Sequence, residues 1–472
     1  MDRRGRLFIW SSIAALLTAG CASFHPRPLS PAQTAAALED RRLDDPKLKD
    51  FIEANLHRQL TSWPPRSWDF SMLALTAFYY HPDLDVARAR WQVAEAGKIT
   101  AGQRPNPSIS AAPGFISNPG AANPWLYGAS LDIPIETAGK RGYRLARAGH
   151  LAEAAYLDIA TAAWQVRSRL RTALLDLYLS RESASLLKRQ VAVQEELAQA
   201  LAARLAQGEI PRPDLTQGQI SLDQTLLLLQ EAERQAAENR VRLAAALGLP
   251  VSALQPVEIS FAFLQQLPPK PLSPEVRRQA LLSRPDILAA LAGYEASQSA
   301  LQLEIAKQYP DLHLGPGYHF DDAENKWTFG LSVTLPVLNQ NQGPIAETRA
   351  RRQEAAARFT ALQARVIAEL DRSLAGYFQT LRKLKTAEAL EAAEKTQEQA
   401  AERSLRAGES DRLALLSTQL VLNKAALDRL QTFYQAQQAL GLLEDAIKSP
   451  LGTSVRVPTG LQTSPRQGEP HP

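Results

Sequence analysis

Residues 327–335 have the sequence Trp-Thr-Phe-Gly-Leu-Ser-Val-Thr-Leu, in which apolar and polar side chains alternate without a break. Such a period of two predicts a β-strand with one apolar and one polar face. Residues 125–133 repeat the pattern in the first half of the chain, with Trp125 and Tyr127 in the places of Trp327 and Phe329. The chain therefore carries two copies of an amphipathic strand.

A partner strand precedes each copy. The partners are predicted at residues 108–116 and 311–320, and short polar loops at 117–123 and 321–325 close the two hairpins. About ten residues is the length of a tilted transmembrane strand, and the aromatic residues beside the loops are typical of an interfacial girdle. Four strands cannot close a barrel, and an open edge in lipid leaves backbone groups without hydrogen bonds. The pattern predicts a membrane barrel shared between copies of the chain; two surface hairpins on a water-soluble protein are the alternative.

The strands belong to a tandem duplication of about 200 residues, far longer than a solenoid repeat. Each half opens with Pro-Asp before an apolar residue, has a proline just before and just after its strand pair, and later contains a Gly-Glu pair. The corresponding residues are Pro82 and Pro285, Pro107 and Pro310, Pro134 and Pro336, Gly208 and Gly408. Each half is therefore expected to have the same structure.

The segments after the strands predict very long helices. Residues 142–207 contain no proline and one internal glycine, Gly149, and their apolar residues follow a heptad spacing; residues 345–407 repeat this composition. Each would be a helix of about 65 residues and about 95 Å. Shorter helices are predicted beside them at 82–103 and 214–247. The expected fold class is mixed but mostly α, built from two tandem repeats. An ordinary antiparallel bundle is disfavoured, because strands interrupt both halves at the same place.

The N-terminus has the features of a secretion signal: Arg3, Arg4 and Arg6 precede a short apolar stretch that ends at Cys21. Cys21 is the chain's only cysteine, and its position after Ala19-Gly20 predicts lipidation; a cleaved soluble precursor with an incidental thiol is the alternative. The expected organisation is a signal peptide (1–20), a lipidated N-terminal segment (21–66), a first repeat (67–248), a linker (249–273), a second repeat (274–448) and a disordered tail (449–472).

The composition argues against several functions. A net charge of +4, with acidic and basic residues interspersed, is too mild to indicate a nucleic-acid partner. The seven histidines form no metal-binding motif, and His313 and His319, on one face of a predicted strand, would lie about 20 Å apart. We expect these two to line a duct. No nucleophile, acid–base or cofactor-binding motif is present, so the sequence predicts neither an enzyme nor a cofactor or metal site.

Together these residues resemble the outer-membrane efflux protein family, typified by TolC, over positions 67–447. The resemblance rests on the twin prolines after the strands, the two Gly-Glu turns, Arg104-Pro105-Asn106-Pro107, and an opening motif formed by Trp68-Asp69, Leu73, Ala77, Pro82-Asp83-Leu84 and Ala87-Arg88. The segments 136–142 and 335–343 look closest to the branch that serves heavy-metal cation exporters. The resemblance implies a homotrimer with a 12-stranded transmembrane β-barrel, four strands per chain, continuing into a long periplasmic α-helical barrel.

The resemblance also implies a function. Members are exit ducts in the outer membrane that work with a periplasmic adaptor protein and an inner-membrane pump; for this chain the resemblance implies an RND-type pump and the export of heavy-metal cations. Ducts for organic compounds or type I secretion are the alternatives within the family. A periplasmic coiled-coil scaffold lipoprotein that forms no pore is the alternative from another class, but a scaffold has no need of four matched amphipathic strands.

The two Gly-Glu turns are the sequence's main candidate sites. If the strands lie at one end of the long helices, the turns lie at the periplasmic tip, where the family resemblance implies a gate and an adaptor contact. The candidate contact residues are Gly208, Glu209, Arg212, Gly408, Glu409 and Arg412, and the candidate gate residues are Asp214 and Asp411. The alternative is local: each glycine ends a helix, and each aspartate caps the next one.

Overall fold

The computed structural model describes residues 24–117, 123–255, 257–265, 267–268, 274–321 and 324–451. The predicted signal peptide, Cys21 and the tail from residue 452 lie outside the described residues. The chain forms two compact units, Met1–Arg42 and Leu43–Pro472. In the first, helix α1 spans Pro31–Glu39, and its N-cap is Ser30, whose hydroxyl accepts a hydrogen bond from the backbone amide of Gln33.

The second unit begins with elements that build an apolar core. Helix α2 spans Pro46–Leu56, strand β1 Ser67–Trp68 and helix α3 Phe70–Tyr80. Nearly all of α3 is buried, and Trp68 is 1% exposed. Strand β4, Glu258–Ile259, comes from the segment between the two repeats and pairs in parallel with β1. The segment predicted as a linker thus contributes backbone pairing to this core.

The two repeats have the same order of elements: a helix, two strands, a very long helix and a further helix. In the first repeat these are α4 Pro82–Gly102, β2 Ser108–Phe115, β3 Trp125–Ile135, α5 Lys140–Ala206 and α6 Arg212–Leu247. In the second, α7 Pro274–Ser283 precedes α8 Pro285–Ala306, β5 Leu312–Asp321, β6 Glu324–Val333, α9 Gln342–Arg406 and α10 Arg412–Ile447. The predicted mostly helical fold with long helices is confirmed.

The long helices are the framework of the unit. Helix α5 has 67 residues and α9 has 65, so each is about 100 Å long. Helix α5 packs against α4, α6, α8 and α10, whereas α9 packs mainly against α8 and α10. The heptad positions predicted in α5 are all buried, namely Leu170, Leu174, Leu177, Ala184, Leu187 and Val191. No helix among the described residues combines the length and the hydropathy needed to cross a membrane.

The four predicted strands form one antiparallel sheet in the order β2-β3-β5-β6. The central pairing joins the two repeats, with Ile133 opposite Leu314. Some boundaries differ from the prediction: β3 continues to Ile135 rather than ending at residue 133, and β6 begins at Glu324 and ends at Val333 rather than spanning residues 327–335. Strand β5 begins at Leu312, opposite Val333, so the residues after Val333 have no partner within this sheet. Strands β2 and β6 are the two free edges.

Candidate functional site

One face of the sheet is apolar and exposed. On strand β6, Trp327 is 80% exposed, Phe329 72% and Leu331 63%. Across the sheet, near the hairpin loops, aromatic rings contact one another in the pairs Phe115–Trp125, Trp125–Tyr127, Tyr127–Phe320 and Tyr318–Trp327, with centroids 5.0–6.3 Å apart. An apolar surface of this kind indicates contact with lipid or another protein chain, and the band of aromatics matches the girdle predicted from the sequence.

The opposite face of the sheet is small and polar. Ser110 and Ser130 share a hydrogen bond of 2.7 Å, and the Nδ1 atom of His313 lies 3.0 Å from an Asp132 carboxylate oxygen. Gly128 lies so close to His319 that an added Cβ would be 3.0 Å from the imidazole. His313 and His319 therefore share the polar face, as the sequence predicted. Among the described residues no group of three or more metal-ligating side chains exists.

A polar cluster at the base of the sheet connects the two repeats. The Lys140 ammonium donates to the Asp311 carboxylate and to the backbone carbonyl of Tyr309, both at 2.7 Å, and the Thr137 amide donates to Asp311 at 2.9 Å. Nearby, Arg144 forms an ion pair with Glu136, and its hydrogen bond lowers the pKa of that carboxyl. From the sequence, segment 136–142 was recognisable only as a family signature. No local pattern indicates that Thr137 and Lys140 have hydrogen-bond partners about 170 residues further along the chain.

The two Gly-Glu turns have the same backbone geometry. Gly208 and Gly408 have φ angles of 76° and 73°, a left-handed conformation that glycine adopts without strain. In the first turn, the amide of Glu209 donates to the carbonyl of Arg204 at 2.9 Å; in the second, that of Glu409 donates to Ser404 at 2.9 Å. Both turns are Schellman motifs that close the long helices. The helix-ending role of the glycines is thus present in both repeats.

Ion pairs tie the two turns of one chain together. The Arg204 guanidinium lies 2.6 Å from the Asp411 carboxylate and 3.7 Å from that of Glu209, while Arg412 lies 2.6 Å from Glu196. In the sequence, the duplication was the only indication that the two turns lie side by side. The ion pair between Arg204 and Asp411 shows that the two turn regions are in direct contact. Arg204 and Glu196 were missed, since the sequence gives no sign of which charge on a helix meets the other turn.

The two candidate gate residues differ. Asp411 is the N-cap of α10: its carboxylate accepts a hydrogen bond of 2.8 Å from the amide of Ala414, and this bond, with that from Arg204, lowers the pKa of Asp411. Asp214 lies inside the first turn of α6, whose N-cap is Pro211. Arg212 and Asp214 are exposed at this end, and Arg212 has no ion pair within 4.0 Å among the residues that the structure describes.

A buried ion cluster joins the repeats far from the turns. Glu444 on α10 lies 3.1 Å from the Arg167 guanidinium and 3.5 Å from that of Arg171, both on α5. Glu444 is 3% exposed and Arg167 1%. Beside them, Asp445 accepts hydrogen bonds from Trp164 and Ser168. Charged residues on a long helix suggest a solvated face, so sequence patterns could not have predicted this cluster.

Comparisons with known proteins agree with this architecture. A family model for outer membrane efflux proteins matches residues 77–249 and 276–447. The cobalt-zinc-cadmium resistance protein CzcC of Cupriavidus metallidurans is 27% identical over 219 residues, which are 46% of this chain and 51% of CzcC. The chain thus aligns with about half the length of this curated relative.

Solved structures share the fold. The outer membrane protein VceC of Vibrio cholerae superposes with a TM-score of 0.66 at 19% identity, covering 81% of this chain and 96% of VceC. The Campylobacter jejuni CmeC outer membrane channel superposes with a TM-score of 0.64 at 17% identity, covering 93% of this chain and 96% of CmeC. Because the family model matches most of the chain in both repeats, the protein belongs to the outer membrane efflux protein family.

Proposed function

We propose that three copies of this chain form the outer-membrane exit duct of a tripartite efflux system. One observation carries the proposal: an open four-stranded sheet, apolar on one face and polar on the other, is joined to helices of about 100 Å. In lipid the two free edges must be paired. Three such sheets would give twelve strands, within the range of known outer-membrane barrels. The polar faces of the sheets would then line a water-filled lumen.

In this arrangement the long helices extend the duct into the periplasm, towards an adaptor protein and an inner-membrane pump that supplies the energy. The proposed cargo is a heavy-metal cation, and the likeness to CzcC supports it. Organic compounds or secreted polypeptides are the alternative cargoes. A scaffold without a pore is disfavoured, because it would leave the apolar faces of Trp327 and Phe329 without a function.

The cargo can be tested in a strain that lacks this gene. Growth is measured over a concentration series of Co²⁺, Zn²⁺ and Cd²⁺ salts and of organic antibiotics and dyes. The proposal predicts that the strain is more sensitive to the metal salts alone, and that a plasmid copy of the gene restores its tolerance of them. Increased sensitivity to the organic compounds alone would favour the alternative cargo. Unchanged tolerance of every compound would contradict an efflux duct.

We further propose that Cys21 is diacylated and becomes the N-terminus of the mature protein. The position of the chain's only cysteine directly after Ala19-Gly20 supports this. Intact-mass measurement of the mature protein is expected to show a chain that begins at Cys21 and carries acyl groups. Cys21→Ser is expected to lose the acyl groups but retain membrane insertion, since one lipid contributes modestly beside a closed barrel. An unmodified Cys21, or a mature N-terminus elsewhere, would contradict the proposal.

The two turns are the proposed adaptor contact, with Gly208, Glu209, Arg212, Gly408, Glu409 and Arg412 as its residues and Asp214 and Asp411 as gate residues. The arginines are not equivalent for a test, because Arg412 already pairs with Glu196. Arg212→Glu is therefore the cleaner change. It is expected to reduce metal tolerance to that of the deletion strain while the amount of trimer is unchanged, because it reverses a polar contact that orients the adaptor.

Arg358→Glu is the matched control for Arg212→Glu. Arg358 is also exposed, and among the described residues its ion pair is with Glu354 of the same helix. It lies in the half of α9 nearest the sheet, away from the turns. Its reversal is expected to leave metal tolerance unchanged. Equal tolerance in the two variants would mean that the adaptor does not contact Arg212.

A further inference from the structure

A histidine and an aspartate from different repeats meet on the polar face of the sheet. His313 lies on β5, and Asp132 lies on the neighbouring strand β3. The Nδ1 atom of His313 is 3.0 Å from one carboxylate oxygen of Asp132 and 3.1 Å from the other. The side chains of His313 and Asp132 are 38% and 49% exposed. Both groups are therefore accessible from the space that the polar face borders.

The fold does not require this pair. By the offsets of the duplication, the positions that correspond to His313 and Asp132 are Ser110 and Thr334. The other copy of these strands thus has a serine and a threonine at these places. An ion pair between partly exposed groups also contributes little to stability. The stability of the sheet therefore does not explain why a histidine and an aspartate stand together here.

The contact with Asp132 prepares the imidazole ring of His313 to bind a cation. A carboxylate beside Nδ1 favours the tautomer with its proton on Nδ1, which leaves a lone pair on Nε2. Among the residues that the structure describes, Nε2 of His313 has no hydrogen-bond partner. Histidines that bind metals commonly donate their other ring nitrogen to a carboxylate, which fixes the ring and increases its basicity. His313 and Asp132 have the arrangement of such a ligand and its carboxylate.

His319 provides a comparison on the same strand. It lies on the same polar face, opposite Gly128, and is also exposed. Within the described part of the chain, its side chain has neither a hydrogen bond nor an ion pair. The two histidines of β5 thus share a strand, a face and access to solvent. They differ in that a carboxylate orients only the ring of His313.

The groups around the pair do not oppose a cation. Ser332 lies opposite His313 in β6, and Ser108 lies opposite Asp132 in β2. The strands on either side thus contribute hydroxyl groups rather than positive charges. The ammonium of Lys140 is 2.7 Å from the carboxylate of Asp311, two residues before His313, and this contact neutralises its charge. A cation that approaches His313 therefore meets a carboxylate and neutral hydroxyl groups.

We propose that His313, oriented by Asp132, is a weak binding site for a divalent transition-metal cation. Nε2 of His313 supplies one ligand, and water molecules supply the others. Imidazole is a good ligand for Zn²⁺, Ni²⁺ and Cu²⁺, whereas Mg²⁺ and Ca²⁺ take oxygen ligands. One protein ligand gives weak binding, and an ion that passes through a channel must bind weakly enough to leave again. The inference rests on the proposed duct, in which the polar face lines the lumen.

Residue-resolved chemical labelling of the full-length protein in detergent tests the site. Diethyl pyrocarbonate modifies neutral imidazole nitrogens, and mass spectrometry with peptide fragmentation reports each histidine separately. Zn²⁺ is expected to slow the labelling of His313 at concentrations that leave the labelling of His319 unchanged. Mg²⁺ at the same concentrations is expected to slow neither. The readout does not depend on whether the duct is open, because it follows the histidines themselves.

Two variants test the role of the carboxylate. Asp132→Asn is expected to raise the Zn²⁺ concentration that halves the labelling rate of His313 by about 10–100-fold, the usual cost of losing such a partner. The labelling of His319 in this variant is an internal control, since damage to the sheet would change both histidines. Ser110→Ala removes another polar contact of the same face, the hydrogen bond with Ser130. It is expected to leave the Zn²⁺ dependence of His313 unchanged.

Three results would overturn the site. They are an equal Zn²⁺ dependence of His313 and His319, an unchanged Zn²⁺ dependence of His313 in Asp132→Asn, and a His313 that resists labelling without metal. None of them bears on the duct, which the growth of the deletion strain tests. Protection of His313 by Zn²⁺, together with unchanged growth of that strain on every compound, would support the site and contradict the duct.

Discussion

Leu331→Arg is expected to remove most of the assembled protein from the outer membrane, whereas Ser332→Arg one residue later is expected to be tolerated. Leu331 lies on the apolar face of β6, opposite Leu314, and is 63% exposed. Ser332 lies on the polar face, opposite His313. An arginine that faces the middle of the bilayer costs about 2–4 kcal/mol, and a trimer would carry three of them. A lumen-facing arginine meets water.

The measurement is the amount of heat-resistant oligomer in outer-membrane fractions, compared on gels with total protein. The two substitutions introduce the same side chain on neighbouring residues of one strand, so expression and strand propensity are matched. Loss of the oligomer in both variants, or in neither, would mean that the alternation of faces in β6 does not separate lipid from lumen.

Glu444→Ala is expected to destabilise the fold by about 3–5 kcal/mol, because it leaves Arg167 and Arg171 buried without their shared carboxylate. Both guanidinium groups lie within 3.5 Å of the Glu444 carboxylate, and all three residues are nearly inaccessible to solvent. Glu444 also accepts a hydrogen bond of 2.9 Å from the amide of Leu451. One substitution thus removes both an ion cluster and an anchor for the end of α10.

Urea unfolding of the purified protein in detergent measures this effect as a shift in the midpoint. Glu238→Ala is the control, since it breaks an ion pair with Arg234 in which both side chains are about half exposed. Exposed ion pairs contribute little to stability, so a small shift is expected. If Glu444→Ala shifted the urea midpoint no more than Glu238→Ala does, the ion cluster would not stabilise the contact between the repeats.

The sequence was sufficient to predict the repeated strands and helices, because their signals are local, but not the short elements α1–α3, α7, β1 and β4. Alternation from Trp327 to Val333 and the heptads around Leu170 each repeat many times within one element. The end of β6 was predicted two residues too far, since alternation continues to Leu335 while the partner strand begins at Leu312. The periodicity of the sequence predicts on which face of the sheet a side chain lies, but the extent of the partner strand determines where the pairing ends.

The contacts within the candidate site could be predicted less well. The glycines of the two turns are recognisable because many helices end with a left-handed residue, which is usually glycine. Contacts such as Lys140–Asp311, Arg204–Asp411 and Arg167–Glu444 join residues from different repeats, and a single sequence shows only that each carries a charge. For that reason the sequence shows Arg212 and Arg412 only as matched positions of the two repeats, although Arg412 is held by Glu196.

We propose that the four strands of each chain belong to one barrel shared by three chains. Single-particle electron microscopy of the full-length protein in lipid nanodiscs would image this barrel. The expected result is a trimer with one closed sheet of twelve strands, in which β6 of each chain pairs with β2 of the next. A monomer with its four strands intact, or a trimer with three separate open sheets, would contradict it.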